Sequence, residues 1–141
     1  MRISSVVRRA AQVNADALAS EYLDRRQTWR EFEDKVGRFA AGLRHLGIED
    51  GDRVAMLALN SDRYLEFFFA VPWAGAVTVP INTRLAPPEV VHWLSDSETS
   101  VLLIDEHFLP MLPKFRDQVP SLKTVAFVGE GPAPDDMMSY D

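Results

Sequence analysis

A chain of 141 residues with 47% apolar and 26% charged side chains can bury one core and is short for two comfortable domains. It has no cysteine, which excludes disulfides, thiolate zinc sites and cysteine nucleophiles and fits a reducing cytoplasm. Its net charge is −6, and its three lysines and twelve arginines form no dense run, so the basic footprint of a nucleic-acid binder is missing.

The first fifteen residues contain Arg2, Arg8 and Arg9 and no acid, with Ile3, Val6, Val7, Ala10 and Ala11 at helical spacing. The simplest reading is a short helix packing an apolar stripe on the domain; an organelle transit peptide has the same composition. No apolar stretch of secretory-signal length follows the arginines. Ala17 to Tyr22 reads as a strand, and Asp24-Arg25-Arg26 as a polar turn back toward Gln27 and Thr28. Thr28 and Glu31 then form a capping box. Trp29, Phe32, Val36, Phe39, Ala40, Leu43 and Leu46 follow at three- and four-residue steps, which predicts an amphipathic helix with Asp34 and Arg38 paired on its wet side. Gly47 ends it, being free to take the left-handed conformation.

Asp50-Gly51-Asp52 reads as a turn, and Arg53 to Leu59 as a strand covered on both faces. Asn60 or Ser61 caps a helix so rich in rings (Tyr64, Phe67, Phe68, Phe69, Trp73) that only Asp62, Arg63 and Glu66 are left to meet water. Between Leu65 and Ile81 the only charge is Glu66, but Pro72, Gly75 and Pro80 divide the stretch into helix, turn and strand, which argues against a transmembrane segment. Pro72 is expected to kink that helix or end it early. Val77 to Val79 is a strand, Pro87-Pro88 opens a helix to about Ser95, Val101 to Ile104 is a buried strand, His107 to Gln118 reads as a disturbed helix, and Thr124 to Val128 is the last strand. The repeated strand–helix–strand order predicts a three-layer α/β fold with a mostly parallel sheet and helices on both faces. On this reading residues 1–128 are one α/β subdomain. Residues 129–141 are an acidic Gly/Pro loop leading into the start of a helix, with Ser139 as its cap.

For chemistry the sequence offers little. His45, His92 and His107 sit in separate elements without ligand spacing, and no Gly-x-Ser-x-Gly elbow is present. A nucleotide site needs a glycine-rich loop whose amides approach the phosphates. Gly51 is alone in its turn, and Gly129 and Gly131 have acidic neighbours that would repel a triphosphate. Two features stand out. The rings of Phe67, Phe68 and Trp73 could wall a pocket for a hydrophobic substrate, although ordinary core packing is the simpler account of them. Arg84 lies in a loop just past a strand end, where open α/β sheets gather ligands, and a guanidinium there could hold a phosphate through paired N–H donors.

The ordered set Thr28-Trp29, Gly51-Asp-Arg-Val-Ala55, Asn60, Ala74-Gly75-Ala76 and Asn82-Thr-Arg84-Leu85 resembles the front portion of the adenylate-forming acyl-CoA synthetases, especially bacterial fatty-acid and aromatic-acid CoA ligases. The resemblance runs from about Ala15 to Val128. It implies a parent enzyme that uses ATP, Mg2+ and coenzyme A to convert a carboxylic acid into its acyl-adenylate and then its thioester. The family's phosphate loop, adenine and magnesium residues and C-terminal lysine have no counterpart here. The chain is therefore expected to be an N-terminal fragment that binds no cofactor and is inactive alone. Arg84 matches the arginine that in CoA-ligase relatives meets coenzyme A phosphates. The implied partners are the remainder of the enzyme and a carboxylic-acid substrate, with a homo-oligomer left open. The rival expectation is a stand-alone α/β binding or interaction module descended from such an enzyme.

Overall fold

The structure, a computed structural model, describes residues 3–141; Arg2, part of the basic N-terminal stretch, lies outside them. The chain divides into two compact units: residues up to Gly51 together with Asn60–Ala76, and Asp52–Leu59 together with Val77–Asp141.

The first unit holds α1 (Ile3–Asn14), the antiparallel hairpin of β1 (Leu18–Tyr22) and β2 (Arg25–Thr28), α2 (Trp29–His45) and α3 (Asp62–Trp73). The hairpin turn falls on Leu23 and Asp24, one step earlier than expected. Leu23 takes a left-handed φ of 54°, and Arg25 and Arg26 are strand residues. The capping box is present, with the Glu31 amide donating to Thr28 Oγ1 (3.3 Å) and the Thr28 amide to Glu31 Oε2 (2.8 Å). The predicted α2 stripe turns Phe32, Val36, Ala40 and Leu43 into the core. Phe32 and Val36 pack with Val7 of α1 and Ala70 of α3. Val7 and Ala11 are the buried residues of α1, so this helix contributes to the core as its apolar spacing predicts.

The second unit is built on a parallel five-stranded sheet of β3 (Arg53–Leu57), β4 (Val77–Pro80), β5 (Val101–Ile104), β6 (Thr124–Phe127) and β7 (Met138–Ser139), in the order β4-β3-β5-β6-β7. The register aligns Ala55 with Val79 and Leu102, and Leu102 with Val125. Those residues therefore share one face. There they pack with Val90 and Leu94 of α4 (Pro87–Asp96) and with Phe108, Leu112, Phe115 and Val119. Val54, Met56, Val101 and Leu103 point the other way and are buried too, as the unbroken apolar runs require. The expected α/β class and parallel sheet are present. Two local expectations give way. His107 to Gln118 forms two 3-10 helices, Leu109–Lys114 and Arg116–Gln118, because Pro110 and Pro113 cannot donate to a continuous i→i−4 ladder. The predicted helix start near Ser139 is instead β7, paired to Ala126 and Phe127; an open strand edge offers its ladder partners where a single helical turn would leave amides unpaired.

Three helices return to the sheet through one closure. In each, the residue after the C-cap is left-handed, its amide and the next one donating back to carbonyls in the last turn. Gly47 (φ 88°) and Ile48 do this for α2, Gly75 (φ 84°) and Ala76 for α3, and Glu98 (φ 51°) and Thr99 for α4. Pro72 sits inside α3 without ending it early: the helix runs on to Trp73. Around Gly47 the space is open, whereas a Cβ on Gly75 would run into the Asp50 carboxylate and the Arg44 guanidinium. Gly47→Ala and Gly75→Ala should therefore each lose about 1–2 kcal/mol, the cost of a left-handed backbone, since at Gly75 the atoms in the way are the movable ends of exposed side chains. Urea denaturation of the two variants measures the losses, and an unchanged midpoint in either would contradict the left-handed closure.

Candidate functional site

The carboxyl edge of a parallel sheet is where ligands bind in open α/β folds, above all where successive connections leave in opposite directions. Here that point lies between β3, whose chain leads on to β4, and β5, whose chain leads on to β6. Asp105, the residue after β5, fills it. One carboxylate oxygen accepts the Leu59 amide (2.8 Å) and the other the Phe108 amide (3.2 Å). Burial pushes the Asp105 carboxyl above the ordinary aspartate range despite those two bonds, with Glu106 adding to the rise and His107 opposing it. Glu106 reaches over the next strand end, where Oε2 accepts the Glu130 amide (3.1 Å) and leaves no room for a Cβ on Gly129. The amides that would cradle a phosphate thus already hold carboxylates. At this edge the Leu59, Phe108 and Glu130 amides are therefore taken by side chains of the chain itself.

Arg84 follows β4. Its loop is anchored by Ile81, which is buried, and Leu85, which packs against the same core. Between them, Asn82 Oδ1 accepts the Arg84 amide (2.9 Å) and the Asn82 carbonyl accepts the Leu85 amide (3.2 Å). This side-chain-closed turn leaves the Arg84 side chain exposed. The neighbouring start of α4 supplies little to an anion. Pro87 and Pro88 have no N–H, and the Ala86 amide donates to Glu89 Oε2 (2.7 Å). Any phosphate held here would depend on the guanidinium. Among the described residues no group of three His, Asp or Glu side chains is placed to hold a metal ion.

The three rings singled out on α3 do not share a face. Phe67 is fully buried, Phe68 is 39% exposed, and Trp73 packs beside the Val7–Phe32 core with the Arg8 guanidinium 4.4 Å above its ring. Phe67 and Phe68 meet edge to face (5.5 Å), and Tyr64 contacts both. Only Phe68 of the first two could touch a ligand.

Opposite Phe68 lies a polar set that sequence reasoning assigned to water. Asp62 and Glu66 are both buried, Glu66 completely. Arg25 of β2 grips Asp62 through both oxygens (2.8 and 2.7 Å). Gln27 Nε2 donates to Glu66 Oε1 (2.8 Å), and Lys35 of α2 stands 3.9 Å from the same oxygen. Alternation along β2 was the available signal: Arg25 and Gln27 are two apart and so share a face, matching two acids one helical turn apart. Leu65 and Phe68 are correspondingly turned outward.

The second unit thus has a parallel sheet whose connections reverse direction between β3 and β5, with side-chain carboxylates bonded to amides along its carboxyl edge and an exposed arginine on the loop after β4. The chain matches the AMP-binding enzyme family over residues 7–141, and it belongs to that family. It is 38% identical over 116 residues to the long-chain-fatty-acid–CoA ligase of Thermus thermophilus, covering 82% of this chain and 21% of that protein. Over 95 residues it is 45% identical to a feruloyl-CoA synthase of an Amycolatopsis species, covering 67% and 19% respectively. The crystal structure of the anthranilate CoA ligase AuaEII in complex with anthranoyl-AMP superposes with a TM-score of 0.93 at 31% identity, over 99% of this chain and 27% of that one. The chain therefore spans about a fifth of the curated relatives it matches. Among the described residues no helix is long and apolar enough to cross a membrane.

Burial pulls the Asp62 carboxyl upward, but the hydrogen bonds and charge of Arg25, with the Arg63 amide, outweigh it and hold the group below the usual aspartate range. A depressed carboxyl stabilises the fold above its unfolded pKa, and that contribution disappears as pH falls through the folded value. Asp62→Asn should therefore be destabilised at pH 7 by about 1–3 kcal/mol, the scale of hydrogen bonds to a charged group, and the gap to wild type should narrow in acid. Urea midpoints across pH measure this; a gap independent of pH would contradict the ion pair.

Proposed function

We propose that this chain is the N-terminal portion of an acyl-CoA synthetase that joins a fatty or aromatic acid to coenzyme A in the cytoplasm, as part of fatty-acid or related acid metabolism. In the whole enzyme the acid would be activated with MgATP to an acyl-adenylate, pyrophosphate leaving, and the acyl group passed to the thiol of coenzyme A, AMP leaving. The observation that carries the reading is the family match along nearly the whole chain, joined to a span of about a fifth of the relatives.

Within that reaction this portion contributes scaffold and contacts rather than bond-making groups. The phosphate-binding amides must come from elsewhere, because those at its own carboxyl edge are occupied by Asp105 and Glu106. Arg84, exposed on a closed turn with its core-anchored flanks, is the candidate for a coenzyme A phosphate, where a planar fork of donors matches the anion. Phe68 is the α3 ring left to line an apolar acyl path, with Phe67 meeting it edge to face from the core.

Two outcomes follow. The purified chain should give no ATP–pyrophosphate exchange with any of a panel of fatty and aromatic acids; turnover would overturn the proposed division of labour. In the whole enzyme, Arg84→Ala should raise KM for coenzyme A about tenfold, the scale of a lost charge-assisted hydrogen bond, while leaving pyrophosphate exchange unchanged. An unaltered KM would remove Arg84 from the site.

A further inference from the structure

Helix α1 has two apolar stripes, and only one of them faces the core. Val7 and Ala11 are buried against α2 and α3. Ile3, Val6 and Val13 are 42%, 45% and 57% exposed, with Ala10 half-buried between them. At 3.6 residues per turn these four fall within an arc of about 80° on the outer side of the helix. Arg9 borders that arc. It is exposed, and no ion pair engages it among the described residues. Arg8 is committed elsewhere, stacked on Trp73.

The charge around this stripe runs against the rest of the molecule. The chain carries −6 overall, yet α1 contains no acid, and the first acid after it, Asp16, is paired with Arg30 (3.2 Å). An apolar stripe beside unpaired positive charge is complementary to a surface with apolar depth and negative headgroups. A protein partner recognising the stripe would need a groove, and a second copy would bring a like-charged Arg9 against the first.

We propose that the outer face of α1 is a peripheral docking surface for an anionic phospholipid bilayer, with Ile3, Val6 and Val13 entering the headgroup boundary and Arg9 meeting lipid phosphate. The rigid attachment of α1 through Val7 presents the face without a folding step. A single short helix gives weak, reversible binding, and screening confines its attraction to the nearest charges, within about 8 Å at physiological salt, so the acidic remainder of the chain does not cancel it.

Co-sedimentation of the chain with phosphatidylglycerol–phosphatidylcholine vesicles and with pure phosphatidylcholine vesicles tests this. Binding is expected to the anionic vesicles, to fall in high salt, and to be at least tenfold weaker for Arg9→Glu, since each surface cation contributes about fivefold. Val6→Ser with Val13→Ser should weaken it similarly, circular dichroism staying that of wild type because neither side chain is in the core. Absence of binding, equal binding to neutral vesicles, or an undiminished Arg9→Glu would overturn the proposal. So would a concentration-dependent dimer, seen by light scattering, that the paired serine variant abolishes.

Discussion

The strands of a parallel sheet all deliver their carboxyl ends to one edge, and the amides just beyond those ends must find acceptors. In a nucleotide-binding unit a ligand supplies them. In this chain two consecutive acids do: Asp105 takes the amides of Leu59 and Phe108, and Glu106 takes that of Glu130. A Cβ on Gly129 would run into the Glu106 backbone nitrogen and the Phe127 ring as well as the carboxylate, so the position favours glycine. The most ligand-ready edge of the second unit is in this way converted into structure. In the neighbouring loop after β4, Asn82 closes a turn that leaves Arg84 exposed.

The same economy recurs at the helix ends. Gly47, Gly75 and Glu98 occupy equivalent positions in three successive helix-to-strand returns. Glycine at the first two needs no further account, but Glu98 bears a Cβ in a left-handed backbone, and Arg53 is what accompanies it. From the start of β3, Arg53 Nε donates to the Ser97 carbonyl (2.5 Å) and Nη2 to the Glu98 carbonyl (3.3 Å) and carboxylate (2.8 Å). A cation on the last carbonyls of α4 satisfies groups the helix cannot satisfy itself. The arginine of the Gly51-Asp-Arg-Val-Ala55 segment therefore has a structural role in this chain.

Much of this was legible in the sequence because it is local. Capping at Thr28 and Glu31, the stop at Gly47 and the buried runs of β3 and β5 are each written within a few residues. What escaped was decided at long range. Asp62 and Glu66 look like the wet side of α3 until Arg25 and Gln27 are folded against them, 37 and 39 positions away; burying those acids then forces Leu65 and Phe68 outward. That single reversal also divided the predicted pocket wall, sending Phe67 into the core and Phe68 to the surface. β7 was misread for a related reason: two residues become a strand only when β6 offers its edge. At the edge of the sheet, acidic neighbours of Gly129 did suggest poor phosphate binding, but the sequence could not say that the acids themselves consume the amides.

On the proposed reading the chemistry belongs to a larger acid–CoA ligase, and this portion has a supporting part in it. The most direct test of that division is an amide-resolved NMR titration of the chain with MgATP. The Leu59, Phe108 and Glu130 amides are expected to keep their positions and exchange protection up to millimolar nucleotide, while Asp105→Ala or Glu106→Ala perturbs them without any ligand. Saturable shifts centred on those three amides in the unmodified chain would mean that the edge is open to phosphate, and would contradict that division.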